Sequence, residues 1–373
     1  MSVNTVPTAS AARTPRAILL VGGTEIQWTS FEIQHNGIFE AGSLNVTMPV
    51  PFTDWPFWVQ QTEIIVDVYV GFPSDPQNYS TSDLTLLMTA RCDEIHLDPA
   101  RSVVTLAGRD LTSLFIDNKA DGTYQNMTSS QVVAKLAANF PQFTQLNITN
   151  TTGSIGNFLG QDHAQIQAST TMWKLMTYLA QHEGLQCFVL GRQLYFGNFG
   201  ATVSDQPYTI KYQPPNDTNA SPVINAVRME LMHDLTISGD VTVRVRSFHG
   251  QKNAAYSATS KATRQTKSIE KSLKTVQTAQ HYDYVFPGLT QAQCQQKADQ
   301  LLKQISLHEY KLETTLPGDV VTFPWTPIAV SGTGTDFDTT YNIARISRSF
   351  DVRGFTMNIS ARTAPSAQEV TLS

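Results

Sequence analysis

A change of pattern at residues 106–117 divides the chain into a β-rich part and a mixed part. Residues 103–106 are β-prone, and Gly108 indicates a backbone corner that a larger residue would accept less easily. Asp110 can then cap the first N–H groups of a helix whose apolar residues recur at helical spacing. We therefore predict that Gly108, Arg109 and Asp110 form a structural junction between two domains and bind no ligand.

The part before this junction, residues 17–107, reads as a succession of short strands. Apolar and polar residues alternate at residues 42–48 and 63–70, as expected for strands with one face in a core. About six such segments, separated by polar turns, predict an antiparallel sandwich or barrel.

One of the connections is unusually apolar, because residues 48–58 contain three prolines and four aromatic residues. Proline fixes φ and removes an N–H donor, so the segment is predicted to be neither a helix nor a central strand. An apolar loop is costly in water. We expect Trp55, Phe57 and Trp58 either to contact another subunit or to fold over the chain's own core. Trp325, in a second proline–aromatic loop, falls in the same class.

Beyond the junction the sequence mixes helices and strands. Helices are predicted near residues 129–140 and 170–184, with a hairpin at 185–196, and the clearest helical pattern spans 290–312. The remaining predicted strands are 223–231, 234–237, 241–248, 320–323, 340–349 and 354–362.

Residues 251–274 are rich in lysine and arginine and poor in apolar residues. Such a composition is typical of a solvated, mobile loop. The alternative is a basic arm that touches an acidic partner or passing nucleic acid. For that alternative, the contact residues would be Lys261, Arg264, Lys267 and Lys271.

The bulk composition limits the classes of function. A chain of 373 residues is longer than one typical core, so two or three domains are expected. Only 15% of the residues are charged, which suits a surface covered by partner subunits or one solvated by abundant Asn, Gln, Ser and Thr. The formal net charge of −5 gives no reason to expect general nucleic-acid binding.

The usual signatures of catalysis and of cofactor or metal binding are missing from the sequence. There is no Gly-x-Ser-x-Gly elbow, phosphate loop, His-Glu-x-x-His or Gly-x-Gly-x-x-Gly motif. Cys92, Cys187 and Cys294 are widely spaced, which favours free buried thiols over disulfides or a zinc site. We predict no catalytic, cofactor-binding or metal-binding residues, and no segment is apolar enough to span a membrane.

Four short motifs occur in a fixed order along the chain, at residues 108–117, 171–185, 316–319 and 341–346. In this order they resemble the baseplate hub proteins of bacteriophage tails, a family that includes late control protein D. Each motif is short, so the specificity of the resemblance comes from the order. The resemblance covers roughly residues 17–362.

The resemblance implies an α+β, mainly β fold with two tube-like antiparallel β-barrel domains and an α/β flanking domain. The implied division is a disordered arm (1–16), a first barrel (17–107), a flanking domain with the basic loop (108–206 plus 251–309), a second barrel (222–250 plus 310–362) and a loose tail (363–373).

The implied function is structural and involves no cofactor. Three chains would form a homotrimeric ring that adapts the hexameric tail tube protein above to the trimeric spike protein below, beside other baseplate proteins. The genome would pass through the lumen without specific binding. Relatives that carry a lysozyme or spike domain are longer, so we expect the puncturing function on a separate protein. The implied location is the tail baseplate of the virion, after assembly in the host cytoplasm.

Other classes of function stay open at the level of sequence. A tail-associated cell-wall-binding or cell-wall-degrading protein would need a groove with paired carboxylates or stacked aromatic residues in its α/β unit. A secreted β-rich adhesin is disfavoured because the N-terminus lacks the apolar core of a signal peptide. Hubs of related injection and secretion machines share the architecture of the phage hubs.

Overall fold

The computed structural model describes residues 14–37, 39–120, 124, 126–152, 170–198, 208–216, 221–235, 241–249, 254–263, 280–286, 288–306, 308–324, 326–363 and 371–372. The fold is mainly β, as predicted, with a large sheet of 14 strands, a sheet of three and a sheet of four. The helices pack against the smaller sheets or lie in connections.

The alternating segments before residue 111 form a first strand group in which every pair is antiparallel. Its strands are β1 (Arg16–Val21), β2 (Thr24–Glu25), β3 (Ser30–Asn36), β4 (Ser43–Pro49), β5 (Ile65–Gly71), β6 (Thr85–Asp98) and β7 (Val103–Asp110). Their order in the sheet is β3-β4-β7-β6-β5-β1-β2. The predicted alternation is confirmed, since Leu44, Val46, Val66 and Val68 are all buried in one core.

The proline–aromatic segment contains a helix, so the prediction that none forms there was wrong. A 3₁₀ helix, Phe52–Asp54, leads into α1 (Trp55–Val59). Pro56 lies in the first turn of α1. The first N–H groups of a helix have no intrahelical acceptor, so a proline there removes no hydrogen bond.

Gly108 is needed for a reason other than the predicted corner, because β7 continues through it to Asp110 and its φ is not positive. A Cβ atom at Gly108 would lie 2.3 Å from the carbonyl oxygen of Arg91 and 2.7 Å from Cα of Cys92. The cause is an irregularity in β6 between Cys92 and Glu94, which brings the β6 backbone close to β7. Glycine here allows a close approach of two backbones.

A second strand group comes from the C-terminal half of the chain. Its strands are β11 (Tyr208–Gln213), β12 (Val223–Ile224), β13 (Arg228–His233), β17 (Tyr310–Pro317), β18 (Pro327–Ser331), β19 (Thr340–Asp351) and β20 (Gly354–Thr363). Their order is β12-β11-β18-β19-β20-β17-β13, and β11 with β18 is the parallel pair among them. Ile210, Leu312, Ile328 and Ile359 lie in the centre of its core.

Residues 320–323 were predicted as a strand and are irregular instead. The backbone N–H groups of Val321 and Thr322 donate to the carboxylate of Asp319. A side chain that captures consecutive N–H groups in this way competes with strand pairing, which explains the difference.

A mixed α/β unit follows the first strand group. It contains α2 (Thr112–Asp117), α3 (Ser129–Ala137), β8 (Gln145–Ile148), α4 (Met172–Glu183), β9 (Gln186–Leu190) and β10 (Gln193–Gly197), with the sheet order β8-β10-β9. The predicted start and end of α4 are confirmed: the Thr171 side chain caps its N-terminus, and Gly184 ends it with a φ of 70°.

A separate four-stranded sheet is built from β14 (Val241–His249), β15 (Ala254–Thr263), β16 (Gln280–Val285) and β21 (Thr371–Leu372) in the order β16-β14-β15-β21. One face packs against α5 (Gln291–Ser306), through Val243, Val245, Ala298 and Leu302. We call it the basic sheet, because Arg244, Arg246 and Lys261 are exposed on its other face.

Two predictions differ from this arrangement. Residues 222–250 were assigned together to the second barrel, but β14 pairs with β15 and β16 and not with that group. The alternating valines indicated a strand with one buried face. The position of α5 decides which core these valines join. The helix predicted over 290–312 ends at Ser306, because Tyr310 already begins β17.

Within the described ranges, strand pairing closes neither strand group into a barrel. The two groups instead share one continuous sheet, because β19 pairs with β3.

Replacing Gly108 by alanine tests the close approach of β6 and β7. The new Cβ would force the strands apart, and we expect a loss on the order of 3 kcal/mol in the free energy of unfolding. Gly184→Ala is the matched control, because its Cβ meets no atom within 4 Å and only the positive φ is strained, at about 1 to 2 kcal/mol. Equal denaturant midpoints for the two variants would contradict this explanation.

Candidate assembly surfaces and the buried junction between the strand groups

The two strand groups meet along β19, which is long enough to serve both. Its first residues, 340–342, pair with β18, and residues 345–350 pair with residues 31–36 of β3. On its other edge β19 pairs with β20 over most of its length, with a register irregularity between Ile343 and Arg345. The pairing of β19 with β3 therefore fixes how one group continues into the other.

Arg348, on β19, is completely buried at this junction. Its Nε donates to the carbonyl oxygen of Asp319 at 2.8 Å, and one of its terminal nitrogens donates to the carbonyl oxygen of Thr322. The same nitrogen lies 3.6 Å from Oδ1 of Asp319. Burial lowers the pKa of Arg348, and the neighbouring Asp319 opposes that shift, so the guanidinium remains a cation with a buried counter-ion.

His35, on β3, completes the arrangement from the first strand group. Its Nε2 lies 3.1 Å from the carbonyl oxygen of Leu87, and its Nδ1 lies 3.2 Å from a nitrogen of Arg348. A carbonyl can only accept and a guanidinium can only donate, so His35 is neutral with its proton on Nε2. Burial, followed by the charge of Arg348, lowers the pKa of His35 to about 3.

Aromatic side chains enclose this polar group. The ring of Phe323 lies beneath Arg348, 5.5 Å from its guanidinium carbon, and meets His35 edge-on. Where β19 pairs with β3, Phe350 stacks on Phe31, and Trp28 packs edge-on against both rings. The Arg348–His35–Asp319 junction is therefore shielded from water, which strengthens its hydrogen bonds.

The predicted junction residues Arg109 and Asp110 lie at a second boundary, between the first strand group and the mixed α/β unit. Arg109 donates to both carboxylate oxygens of Asp93 at 2.7 and 2.8 Å, and it also reaches Asp117 at the end of α2. Hydrogen bonding from Arg109 is the main cause that lowers the pKa of Asp93. Arg91 pairs with the same Asp117 at 3.0 Å.

Asp110 is buried and binds backbone on both sides of this boundary. Its carboxylate accepts from the N–H of Gly42 at 2.8 Å and from the N–H of Thr112 at 3.0 Å. Asp110 therefore accepts from the first N–H group of α2, as predicted, although it lies two residues before the helix begins at Thr112 and the formal N-cap is Leu111. Burial raises the pKa of Asp110 to about 6, and the two backbone donors oppose that shift.

The aromatic residues of α1 divide between the core and the surface. Trp55 and Trp58 pack against the first core, and Nε1 of Trp55 donates to the carbonyl oxygen of Val50. Phe57 points outward with 61% of its surface exposed. Phe52 and Val59 are also mostly exposed, so one side of α1 is an apolar surface. Trp325 lies outside the described residues.

The basic segment is partly a strand. Lys261 lies on β15 with its side chain exposed, so the prediction of a mobile loop was wrong for the residues of that strand. Small and polar residues alternate in β15, and this pattern is compatible with pairing to β14. The prediction of a loop used the charge of the segment and overlooked this alternation. Arg264, Lys267 and Lys271 lie outside the described residues.

The face of the basic sheet opposite α5 is a surface that the sequence analysis missed. It presents Arg244, Arg246 and Phe248 from β14, and His281, Asp283 and Val285 from β16, beside Lys261. Part of it forms a shallow depression of about 350 Å³ between Arg244, His281 and Asp283. The sequence analysis did not connect Arg244 and Arg246 with the basic segment, because it assigned residues 241–248 to the second barrel.

The cysteines and the possible metal ligands of the described residues can be compared with the sequence predictions. The three cysteines are free. Cys187 and Cys294 are buried, as predicted, whereas Cys92 is only half-buried. Burial, followed by the charge of Asp93, raises the pKa of Cys92 to about 12. The described residues contain no group of three or more His, Cys, Asp or Glu side chains placed to hold a metal ion. None of the described helices combines the length and hydrophobicity needed to cross a membrane.

Comparison with known proteins gives matches in structure alone. No protein-family model matches the sequence, and no curated protein matches it. A tail protein from Neisseria meningitidis MC58 is 19% identical with a TM-score of 0.65, over 93% of this chain and 96% of that one. The 43 kDa tail protein of prophage MuSo2 from Shewanella oneidensis is 15% identical with a TM-score of 0.63, over 93% and 98%.

The chain has the fold of phage tail proteins. A third example is the prophage tail protein gp18 from Listeria monocytogenes EGD-e, with 9% identity and a TM-score of 0.52 over 94% of this chain and 96% of that one. The match includes almost all of each chain, so the tail-protein fold extends across both strand groups and the units between them. The resemblance to phage tail proteins and the mainly β fold that it implied are confirmed, whereas the strand pairing of the described residues does not close the two implied barrels.

Removing Arg348 tests how far the tail-protein fold depends on the buried junction. Arg348→Ala would leave the Asp319 carboxylate without its cation and two buried carbonyl groups without a donor, so we expect a loss of about 3 to 5 kcal/mol in the free energy of unfolding. Arg353→Ala is the control. Arg353 is exposed in the turn between β19 and β20, and its change should stay within about 0.5 kcal/mol.

Denaturant titration of the two variants decides the matter. Equal midpoints for Arg348→Ala and Arg353→Ala would show that the buried arginine contributes nothing that an exposed one does not.

His35 should make stability depend on pH in a defined direction. Between its folded pKa of about 3 and its unfolded value of about 6.5, the unfolded chain binds more protons. The contribution of His35 to stability should therefore fall as the pH is lowered through this window, by about 2 kcal/mol at pH 5.

The control is His35→Gln, which cannot titrate, so its free energy of unfolding should approach that of the wild type as the pH falls from 7.5 to 5. Asp110 acts in the opposite direction, because its folded pKa is raised, but it is present in both proteins and cancels from their difference. Curves that stay parallel over this range would exclude the effect of His35.

Proposed function

We propose that this chain is a structural subunit of a phage tail, at the hub of the baseplate. The observation that carries the proposal is the match in fold to tail proteins over 93% of the chain. The described site geometry supports it, since the polar clusters are satisfied structural contacts between units. In this role the protein is located in the virion tail, is assembled in the host cytoplasm, and acts without catalysis or a cofactor.

In the proposed assembly, three copies form a ring around an axial channel. Each chain has two groups of mainly antiparallel strands, so three chains would present six similar groups to a hexameric tail tube. The first tube-like barrel would be built around residues 17–107. The second would be built around 208–235 and 310–363, without β14, which pairs elsewhere.

The proposed partners follow from this ring. A tail tube protein would sit above it and a trimeric spike protein below it, with other baseplate proteins around the flank and the genome passing through the lumen. The continuous sheet from β2 to β12 supports a ring, because the pairing of β19 with β3 holds the two strand groups of one chain in a fixed relation. The apolar surface of α1, and the edge of β13 that pairs with no other described strand, are the kinds of feature that subunit contacts cover.

The direct test is the oligomeric state of the purified chain together with its outline. Sedimentation equilibrium should give three copies per particle, and negative-stain electron microscopy should give a ring with a central hole. A particle that stays monomeric at concentrations up to about 100 µM would contradict the hub, since a ring component should associate well within that range.

A second measurement separates the structural role from a cell-wall enzyme. Purified peptidoglycan incubated with the chain should keep its turbidity, with lysozyme as the positive control. Clearing by this chain alone would overturn the non-enzymatic proposal.

A further inference from the structure

The charges of this chain are segregated between two of its units. Residues 241–306 contain ten Lys and Arg and three Asp and Glu, a net charge of +7. Residues 16–110 contain four Lys and Arg and twelve Asp and Glu, a net charge of −8. A net charge of −5 for the whole chain hides this separation. Opposite net charges on two stretches of one chain favour contact between copies.

Three of these ten basic residues lie on a face of the basic sheet that no described element covers. α5 covers one side of the basic sheet, which leaves Arg244, Arg246 and Lys261 on the other side. The side chains of Arg244 and Lys261 make no hydrogen bond or ion pair with another described residue. Arg246 approaches Asp283 only to 3.8 Å, and both side chains are half exposed.

This face also carries an apolar spot. Val285 lies beside Arg246 in the parallel pairing of β14 and β16, and Phe248 follows two residues along β14. Phe248 and Val285 are 56% and 68% exposed. The open face is therefore an exposed apolar spot beside two arginines.

The first strand group carries the complementary surface. On α1 and the 3₁₀ helix before it, Phe52, Phe57 and Val59 are exposed. Asp54 lies among them and Glu63 follows shortly after, both exposed and neither in an ion pair within the part of the chain described. This α1 surface is an apolar spot beside two carboxylates, the counterpart in charge and in hydrophobicity of the open face.

We propose that the open face of the basic sheet docks on the α1 surface of a neighbouring copy. Within one copy it is the other side of each element that is packed: α1 contacts β6 and the first core, and the basic sheet contacts α5. A cyclic trimer joins two different surfaces at each interface, and this chain has such a pair. The inference rests on the ring proposed above and names the surfaces that close it.

Reversing charges on each surface, and then on both, tests this pairing. Arg244→Glu with Arg246→Glu should raise the concentration at which half of the chain is trimeric, on the order of tenfold or more, because like charges then face each other. Asp54→Arg with Glu63→Arg should do the same. The protein with all four changes should recover most of the wild-type association. Unchanged thermal midpoints would show that these exposed changes leave the fold intact.

The matched control reverses two lysines elsewhere on the surface. Lys174→Glu with Lys211→Glu changes the net charge as much as the double arginine variant, at exposed positions on α4 and β11, and should leave association unchanged. Raising NaCl from about 0.1 M to about 1 M should weaken the wild-type trimer, because the Debye length falls from about 10 Å to about 3 Å.

The outcomes separate this inference from the proposed function. A monomeric wild type overturns the ring itself. A wild-type trimer that tolerates the arginine reversals overturns the docking and leaves the ring intact. Dissociation that the four changes together fail to reverse excludes the α1 surface as the partner.

Nucleic acid is the other acidic ligand that could bind the open face, and the test must distinguish it from a second copy of the chain. Fluorescence anisotropy with labelled single-stranded and double-stranded 20-nucleotide DNA should show no binding that depends on Arg244 and Arg246. If the arginine reversals abolish DNA binding while the trimer persists, the open face binds nucleic acid and the docking proposal is overturned.

Discussion

The ion pair of Arg348 with Asp319, completed by His35, is the contact on which the arrangement of the two strand groups depends. Its members come from β3, from β19 and from the irregular segment after β17. A buried charge is stable only when its partners are in place, because removing them leaves the full cost of desolvation. The contact therefore exists only when these three segments are assembled together.

A buried charge also specifies register, which an apolar core does less strictly. A shift of β19 against β3 by one residue would turn Arg348 to the opposite face of the sheet, away from Phe323 and the carbonyl group of Thr322. Leucine or valine at the same place would tolerate such a shift at lower cost. We interpret the buried arginine as the residue that selects one register of β19 against β3. The burial of its charge costs some free energy of folding.

Local sequence patterns predicted the positions of strands and helices. They did not predict contacts between residues that lie far apart in the chain. The alternation at residues 42–48 located β4, and Thr171 with Gly184 located the ends of α4. His35 and Arg348 are separated by 313 positions, so no local pattern could join them. The partners of β14 were missed for the same reason, since alternation shows that a strand has a buried face but not which helix covers it.

In the proposed ring, the junction and the charged surfaces would serve one requirement, which is to hold two unlike contacts at a fixed separation. A ring closes only if each copy presents its two different surfaces at the angle that the symmetry demands. The first strand group carries the α1 surface, and the basic sheet lies in the chain between β13 and β17 of the second group. Because β19 belongs to the second group and pairs with the first, the register of β19 against β3 sets the relation of the two groups. A flexible linker in its place would let the surfaces adopt many angles and would lower their effective concentration for ring closure.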